Sequence, residues 1–206
     1  MKTKLFLDFD GTLFNTTKLK EKFENLLSEY GITSEALLAA YREESKTTHF
    51  TVPGVLNRIY VLEDEQKKEI IAREMELHND DPELVYADVI PLLKQIDRKK
   101  YEINLITLGD PKFQSLKVGK SALKKYFDNI YYTEVDKWEY LGGVVGINEE
   151  FIVVDDREDT CFFVERKFKN SKCFCIKRDD LDTDDPTLNK KFKGIKVIKT
   201  LSEAIS

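Results

Sequence analysis

The string Leu5-Phe6-Leu7-Asp8-Phe9-Asp10-Gly11-Thr12-Leu13 constrains this chain more than any other feature. Its opening apolar run, with no polar alternation, describes a strand covered on both faces, the environment of a parallel sheet. The run ends on two carboxylates and turns on a glycine. In an open parallel sheet the ligand crevice lies outside the carboxyl ends of the strands, so Asp8 and Asp10 are expected in it. Alternate residues on an extended chain face the same way, but the chain leaves the strand here, which frees the two carboxylates for different roles around one reacting centre. Gly11 permits positive φ, and the amides near Asp10, Gly11 and Thr12 can form an anion-binding nest. A bare Asp-Gly turn is common; the whole string is not.

Further apolar runs of strand length fall at 103–107, 130–132, 151–155 and 174–176, each ending in a carboxylate, a hydroxyl or a turn. Helical patterns lie between them: one through Pro91, Leu93 and Ile96 with proline in the first turn, one over 116–127 and one over 159–168. Strand and helix in alternation predict an α/β fold, a Rossmann-like three-layer core around a parallel sheet with right-handed crossovers. The first two strands are separated by far more chain than one crossover needs. Within that gap Leu19, Phe23, Leu26, Leu27 and Tyr30 keep helical spacing, as do Val52, Val55, Leu56 and Ile59. Ser34 and Asp64 are the expected N-caps of two more helices, through Leu37, Ala40 and Tyr41 and through Ile70, Ile71 and Leu77. Residues 15–86 are therefore read as a small all-helical inserted domain, and 1–14 with 87–206 as the core. A length of 206 residues suits one domain carrying an insert.

Three other places could carry chemistry. The strand ending in Asp155-Asp156, with Asp159 beyond it, offers the hard oxygen ligands that Mg²⁺ takes, if this strand lies beside the first; Asp159 could instead hydrogen-bond in an outer shell. An acidic helix start favoured by the macrodipole explains the same residues without a metal. Thr107 ends a strand before Leu108 and Gly109, where a hydroxyl and the following amide suit phosphate oxygens, although taken alone a capping threonine is the more ordinary reading. Lys137 could neutralise both Asp8 and a bound phosphoryl group; Lys112, Lys117 and Lys120 compete for that role.

In this order the residues resemble the haloacid dehalogenase superfamily of phosphohydrolases. Its motifs are a strand ending in Asp-x-Asp-Gly-Thr, a strand ending in Thr or Ser, a lysine, and a strand ending in paired acids. They correspond to Asp8 to Thr12, Thr107, Lys137 and Asp155 to Asp159. The resemblance implies a Rossmann-like core and, from the position of the insert, a C1-type helical cap over 15–86. It implies Mg²⁺ held by Asp8, the Asp10 backbone carbonyl and Asp155, with Asp156 and Asp159 in an outer shell; which of those two completes the metal site stays open. It further implies Asp8 as nucleophile, Asp10 as general acid–base and Lys137 as a catalytic cation, with phosphate held by Gly11, Thr107, Leu108 and Lys137. Relatives with tyrosine, threonine or alanine in place of Asp10 run other reactions, so aspartate there implies phosphomonoester hydrolysis or phosphomutation.

The expected partner is a small phosphorylated metabolite. A sugar phosphomutase uses the same acids and the same kind of cap, and a non-catalytic Mg²⁺- or phospho-ligand-binding module would keep the fold without turnover. A receiver domain would be shorter and carry its phosphoacceptor elsewhere. Acids outnumber lysine and arginine by 38 to 33, which disfavours nucleic acid and anionic membranes. The apolar run at the N-terminus is broken by Asp8 and no stretch approaches the length of a membrane span. With Cys161, Cys173 and Cys175 read as reduced packed thiols, the expected compartment is the cytosol. Glu43, Arg42, His49 and Arg58 are candidates for substrate choice. His78 reads as a surface or core-edge residue and Trp138 as packing. The acidic stretch 179–185 reads as a solvated loop. Oligomeric state is not legible.

Overall fold

The computed structural model describes residues 2–44, 46, 51–79, 81–146, 148–179 and 192–205. Among them six strands form one parallel sheet: β1 (Thr3–Leu7), β2 (Tyr101–Leu108), β3 (Asn129–Thr133), β4 (Phe151–Asp155), β5 (Ser171–Ile176) and β6 (Lys196–Ile198), in the order β3-β2-β1-β4-β5-β6. The unbroken apolar runs follow from coverage on both faces. Leu5 and Leu7 point into a cluster with Ile103, Leu105 and Val154, closed by α5 (Val89–Gln95) and α6 (Pro111–Lys120). Phe6, between them, belongs to the opposite cluster with Ile106, Phe151 and Val153, closed by α7 (Lys137–Leu141) and α8 (Glu158–Lys167). Phe6 meets Phe151 edge to face at 5.9 Å. All three cysteines are buried and free, and Cys161, Cys173 and Cys175 fill this second layer.

The strand order reverses at β1. β2 and β3 extend the sheet to one side, and β4, β5 and β6 to the other. The carboxyl ends of β2, β1 and β4 thus stand side by side at a switch point, where open α/β sheets bind ligands.

Between β1 and α5 lie α1 (Thr16–Ser28), α2 (Ser34–Glu44), α3 (Val52–Asn57) and α4 (Asp64–Leu77). They enclose an apolar cluster of their own, built on Phe23, Leu26, Leu27, Leu37, Val55, Leu56 and Ile70. Each such side chain contributes roughly 1.5–3 kcal/mol of transfer free energy when fully buried. The chain enters and leaves this helical segment side by side: Asn15 N–H donates to Leu84 O at 2.8 Å and Tyr86 N–H to Leu13 O at 3.2 Å.

Several element boundaries differ from the sequence expectation. The cap of α2 is Thr33, whose hydroxyl accepts from Ala36 N–H at 3.3 Å, while the Ser34 hydroxyl is donated to Glu24. At α4 the cap is Glu63, whose N–H donates to the Gln66 side chain at 2.9 Å; Asp64 takes the first helical position. The helix expected over 116–127 starts at Pro111, because Asp110 caps the Phe113 N–H at 2.8 Å, and stops at the extended Ser121. Only a 3-10 turn, Lys124–Tyr126, follows. Residues 180–185 of the acidic stretch lie outside the described residues.

Candidate active site

Parallel pairing of Leu7 with Val154 puts the next residues, Asp8 and Asp155, together at the sheet edge. The Lys137 ammonium, on the first turn of α7, lies 2.5 Å from Asp8 Oδ1 and 2.6 Å from Asp155 Oδ2. All three side chains are buried. The Thr12 hydroxyl donates to Asp8 Oδ2 at 3.2 Å, and Asp155 Oδ1 accepts from Arg157 N–H at 2.9 Å. Asp156 completes the group: carboxylate oxygens of Asp8, Asp155 and Asp156 all lie within 4.8 Å of one another. Gly11 makes that approach possible. Its φ is +73° and a Cβ there would stand 2.6 Å from Asp156 Oδ2, so both the turn and the acid beside it require glycine.

Three carboxylates face one ammonium. Burial drives the Asp8 carboxyl well above the usual carboxylate range, and the charges of Asp155 and Asp156 add to this against the opposing pull of Lys137. Burial and the Asp155 charge likewise push Asp156 up to about 7. Lys137 is pushed up as well: burial opposes its charge, and the Asp155 and Asp8 carboxylates overcome that. Excess negative charge on clustered hard oxygen donors fits a divalent cation.

A pH dependence follows. The folded chain holds protons on Asp8 and Asp156 more tightly than the unfolded chain, so it binds more protons between about pH 4 and about 7, and stability falls as pH rises through that window. A cation binds the ionised form and reverses the trend. In metal-free buffer the unfolding midpoint should drop by several degrees between about pH 5 and about 7.5, and Mg²⁺ should restore it at the upper pH; a midpoint indifferent to Mg²⁺ would speak against cation binding here.

The carboxyl end of β2 brings Thr107 alongside. Its hydroxyl is buried and has no hydrogen-bond partner among the described residues, a costly state for a polar group unless a ligand supplies the partner. The Leu108 carbonyl accepts from Gln114 Nε2 at 3.2 Å.

Asp10 stands apart from the acidic cluster. Its Oδ1 accepts from Lys117 Nζ and from the Thr16 hydroxyl at 3.3 Å, and its Oδ2 from Gln114 Nε2 at 3.0 Å. Burial raises this carboxyl, but the Lys117 charge and the hydrogen bonds from Lys117 and Gln114 outweigh it, and the net direction is down. Asp10, Gln114 and Lys117 line a cavity of about 550 Å³, walled by Leu19, Phe23, Tyr41 and Val52 from the helical segment and Phe113 from α6.

Lys117, one of the competitors for the place beside Asp8, thus goes to Asp10, and Lys137 takes Asp8. Neither Gln114 nor Thr16 was anticipated; the only signal was that Gln114 and Lys117 are spaced to share one face of α6. Asp156, expected in an outer shell, lies with Asp8 and Asp155 in the acidic cluster. Asp159 does not: its carboxylate is held by Arg157 at 3.0 and 2.6 Å. Of the substrate-choice candidates among the described residues, only Arg42 reaches the cavity wall. Glu43 pairs with Lys46 on the surface, and Arg58 is tied to buried Glu44 at 2.9 Å. His49 lies outside the described residues. His78 is no edge residue: it is buried between the Phe14 and Phe113 rings with Nε2 2.6 Å from Glu74 Oε1. Trp138 packs on Phe163 at 4.7 Å. Arg178, also unforeseen, donates Nε and Nη2 to the Thr12 carbonyl at 3.2 and 2.6 Å and Nη1 to Asp88 at 2.9 Å, bracing the loop after β1.

An open parallel sheet with carboxylates and a lysine gathered at its switch point defines a Rossmann-like α/β protein with an acidic centre. The chain belongs to the haloacid dehalogenase-like hydrolases, whose family model matches residues 5–137. No curated protein matches it. Among solved structures, a haloacid dehalogenase-like hydrolase of Burkholderia xenovorans LB400 superposes with a TM-score of 0.76 at 15% identity, over 97% of this chain and 94% of the other. A Thermotoga maritima protein described as a β-phosphoglucomutase gives 0.65 at 16%, over 96% and 94%. A Bacillus subtilis HAD-hydrolase bound to magnesium gives 0.65 at 14%, over 98% and 96%. At these identities the likeness shows a shared fold. No helix among the described residues is long and apolar enough to cross a membrane.

Proposed function

We propose that the chain is a Mg²⁺-dependent phosphomonoester hydrolase acting through an aspartyl-phosphate on a small phosphorylated metabolite, with the helical segment over 15–86 serving as a cap on the core of 1–14 and 87–206. The observation that carries this reading is the separation of the two motif carboxylates. Asp8 lies in the buried acidic centre with Lys137, whereas Asp10 lines the adjoining cavity.

Asp8, Asp155 and Asp156, with the Asp10 backbone carbonyl, would hold Mg²⁺. When bound, the ion supplies Lewis-acid stabilisation of charge on the phosphoryl oxygens. The Asp8 carboxylate attacks phosphorus in line; the bond to the ester oxygen breaks and Asp10 delivers a proton to that oxygen. Water then attacks the phosphoryl group, Asp10 takes its proton, and the bond from phosphorus to Asp8 breaks. Lys137 and the Thr107 hydroxyl, with the amide at Leu108, stabilise the equatorial oxygens, where most of the catalysis of phosphoryl transfer lies; the Gly11 N–H, expected in this role, instead donates to the Phe14 carbonyl at 2.9 Å. The ionised Asp10 is the form the second step needs; the dianionic substrate, arriving beside it, raises its proton affinity for the first.

The test is release of inorganic phosphate from p-nitrophenyl phosphate and a panel of alkyl and sugar phosphates, with Mg²⁺ and with EDTA. Metal-dependent release is expected. Halide release from 2-haloacids with no phosphate release would replace the reading with dehalogenation, and phosphoryl movement between sugar positions without net release would replace it with a mutase.

A further inference from the structure

We propose that Lys117 is a positioning residue for Asp10, fixing its carboxylate at the cavity floor so that proton transfer at the leaving oxygen, rather than attack on phosphorus, depends on it. This inference rests on the phosphatase reading above.

The site contains two buried lysines with separate territories. Lys137 holds the Asp8 and Asp155 carboxylates; Lys117 pairs with Asp10. The Lys117 side chain is only 4% exposed, and its ammonium lies 5.3, 5.5 and 5.6 Å from the ring centroids of Phe113, Phe14 and Phe9. Ring faces attract a cation without offering it hydrogen-bond acceptors, so this cage holds the charge in place while Asp10 receives its directed bond. Burying and ordering a lysine is costly, and an ion pair of this kind adds little net stability over an apolar pair. Its return is in geometry.

That geometry is nearly complete around Asp10. Lys117 and Gln114 approach from α6 of the core, and Thr16 approaches from the first residue of α1 in the helical segment. The carboxylate is thereby gripped from both sides of the cavity it lines. A general acid must lie within hydrogen-bond reach of the oxygen it protonates, and a misplacement of about 1 Å can cost on the order of 10²-fold in rate. Phe9 and Phe14 flank the motif loop itself, their rings stacked at 4.8 Å, so the lysine is seated against the segment that carries both catalytic carboxylates.

The discriminating readout is dependence on the leaving group. p-Nitrophenolate departs without a proton, whereas an alkoxide does not. In Lys117→Met, which keeps the shape and removes the charge and donors, kcat/KM on a simple alkyl phosphate, which reports the steps up to departure of the alcohol, should fall by roughly 10²-fold. On p-nitrophenyl phosphate kcat/KM should fall by less than about tenfold, whereas kcat, which includes the water attack that Asp10 also serves, falls on both esters. In an Asp10→Asn background the same change should cost less than about twofold on either ester, since the group it positions no longer works as an acid. Equal losses in kcat/KM on the two esters, no loss at all, or a loss in the Asp10→Asn background as large as in the native one would overturn the proposal. Should Lys117→Met alone fail to fold, the double variant leaves no unpaired charge, and its comparison with Asp10→Asn decides the matter. A native chain that hydrolyses neither ester refutes the phosphatase reading instead, which is a separate result.

Discussion

In Asp8→Asn, hydrolysis of every phosphate ester is expected to fall below detection, a loss of at least roughly 10⁴-fold on the proposed mechanism, with the fold intact. The amide keeps the size of the carboxylate and can still accept from Thr12, but it cannot form an acyl phosphate by displacement. Stability should not suffer. Asp8 is buried among like charges that push its carboxyl upward, so removing that charge relieves repulsion, and Lys137 retains Asp155 at 2.6 Å. The metal-free variant should therefore melt no lower than the native chain. Residual activity above a few per cent, measured by phosphate release after removal of any copurifying phosphatase, would exclude Asp8 as nucleophile.

Asp10→Asn has a different signature. Turnover of alkyl phosphates falls by roughly 10² to 10⁴, the range for loss of a general acid–base group. With p-nitrophenyl phosphate the first step needs little acid assistance, so the enzyme is still phosphorylated, and the second step, which needs a base to activate water, becomes limiting. A stopped-flow trace should show a burst of nitrophenolate equal to the enzyme present, followed by slow turnover. Linear release at near-native rate would remove Asp10 from both steps.

The residues that carry this account differ in how openly the sequence displays them. β4 is expected and found at the same residues, because five buried positions bounded by charge leave little latitude. β6 was missed: it is a three-residue edge strand with one buried side chain, too short for an apolar pattern. α7 has five residues, less than two turns, so periodicity could not place Lys137 on a helix. Nor could spacing decide between Lys117 and Lys137, since that choice depends on which strand neighbours β1. Asp156 and Asp159 are separated by where α8 begins. With Glu158 as its first residue, Asp159 falls in the opening turn beside Arg157, and Asp156 remains at the strand tip with Asp8. Gln114 and Thr16 were invisible as site residues because each acts only through a partner brought close by the tertiary fold.

The most direct measurement is identification of the phosphorylated side chain. Asp10→Asn, mixed with p-nitrophenyl phosphate and Mg²⁺ and quenched in acid during the slow phase, should gain the mass of one phosphoryl group. Borohydride reduction followed by peptide mass spectrometry should then find homoserine at position 8 and unmodified aspartate at 155 and 156. A native chain that turns over while no phosphoryl group is trapped on Asp8, or one that carries it on another side chain, would contradict the covalent mechanism at its centre.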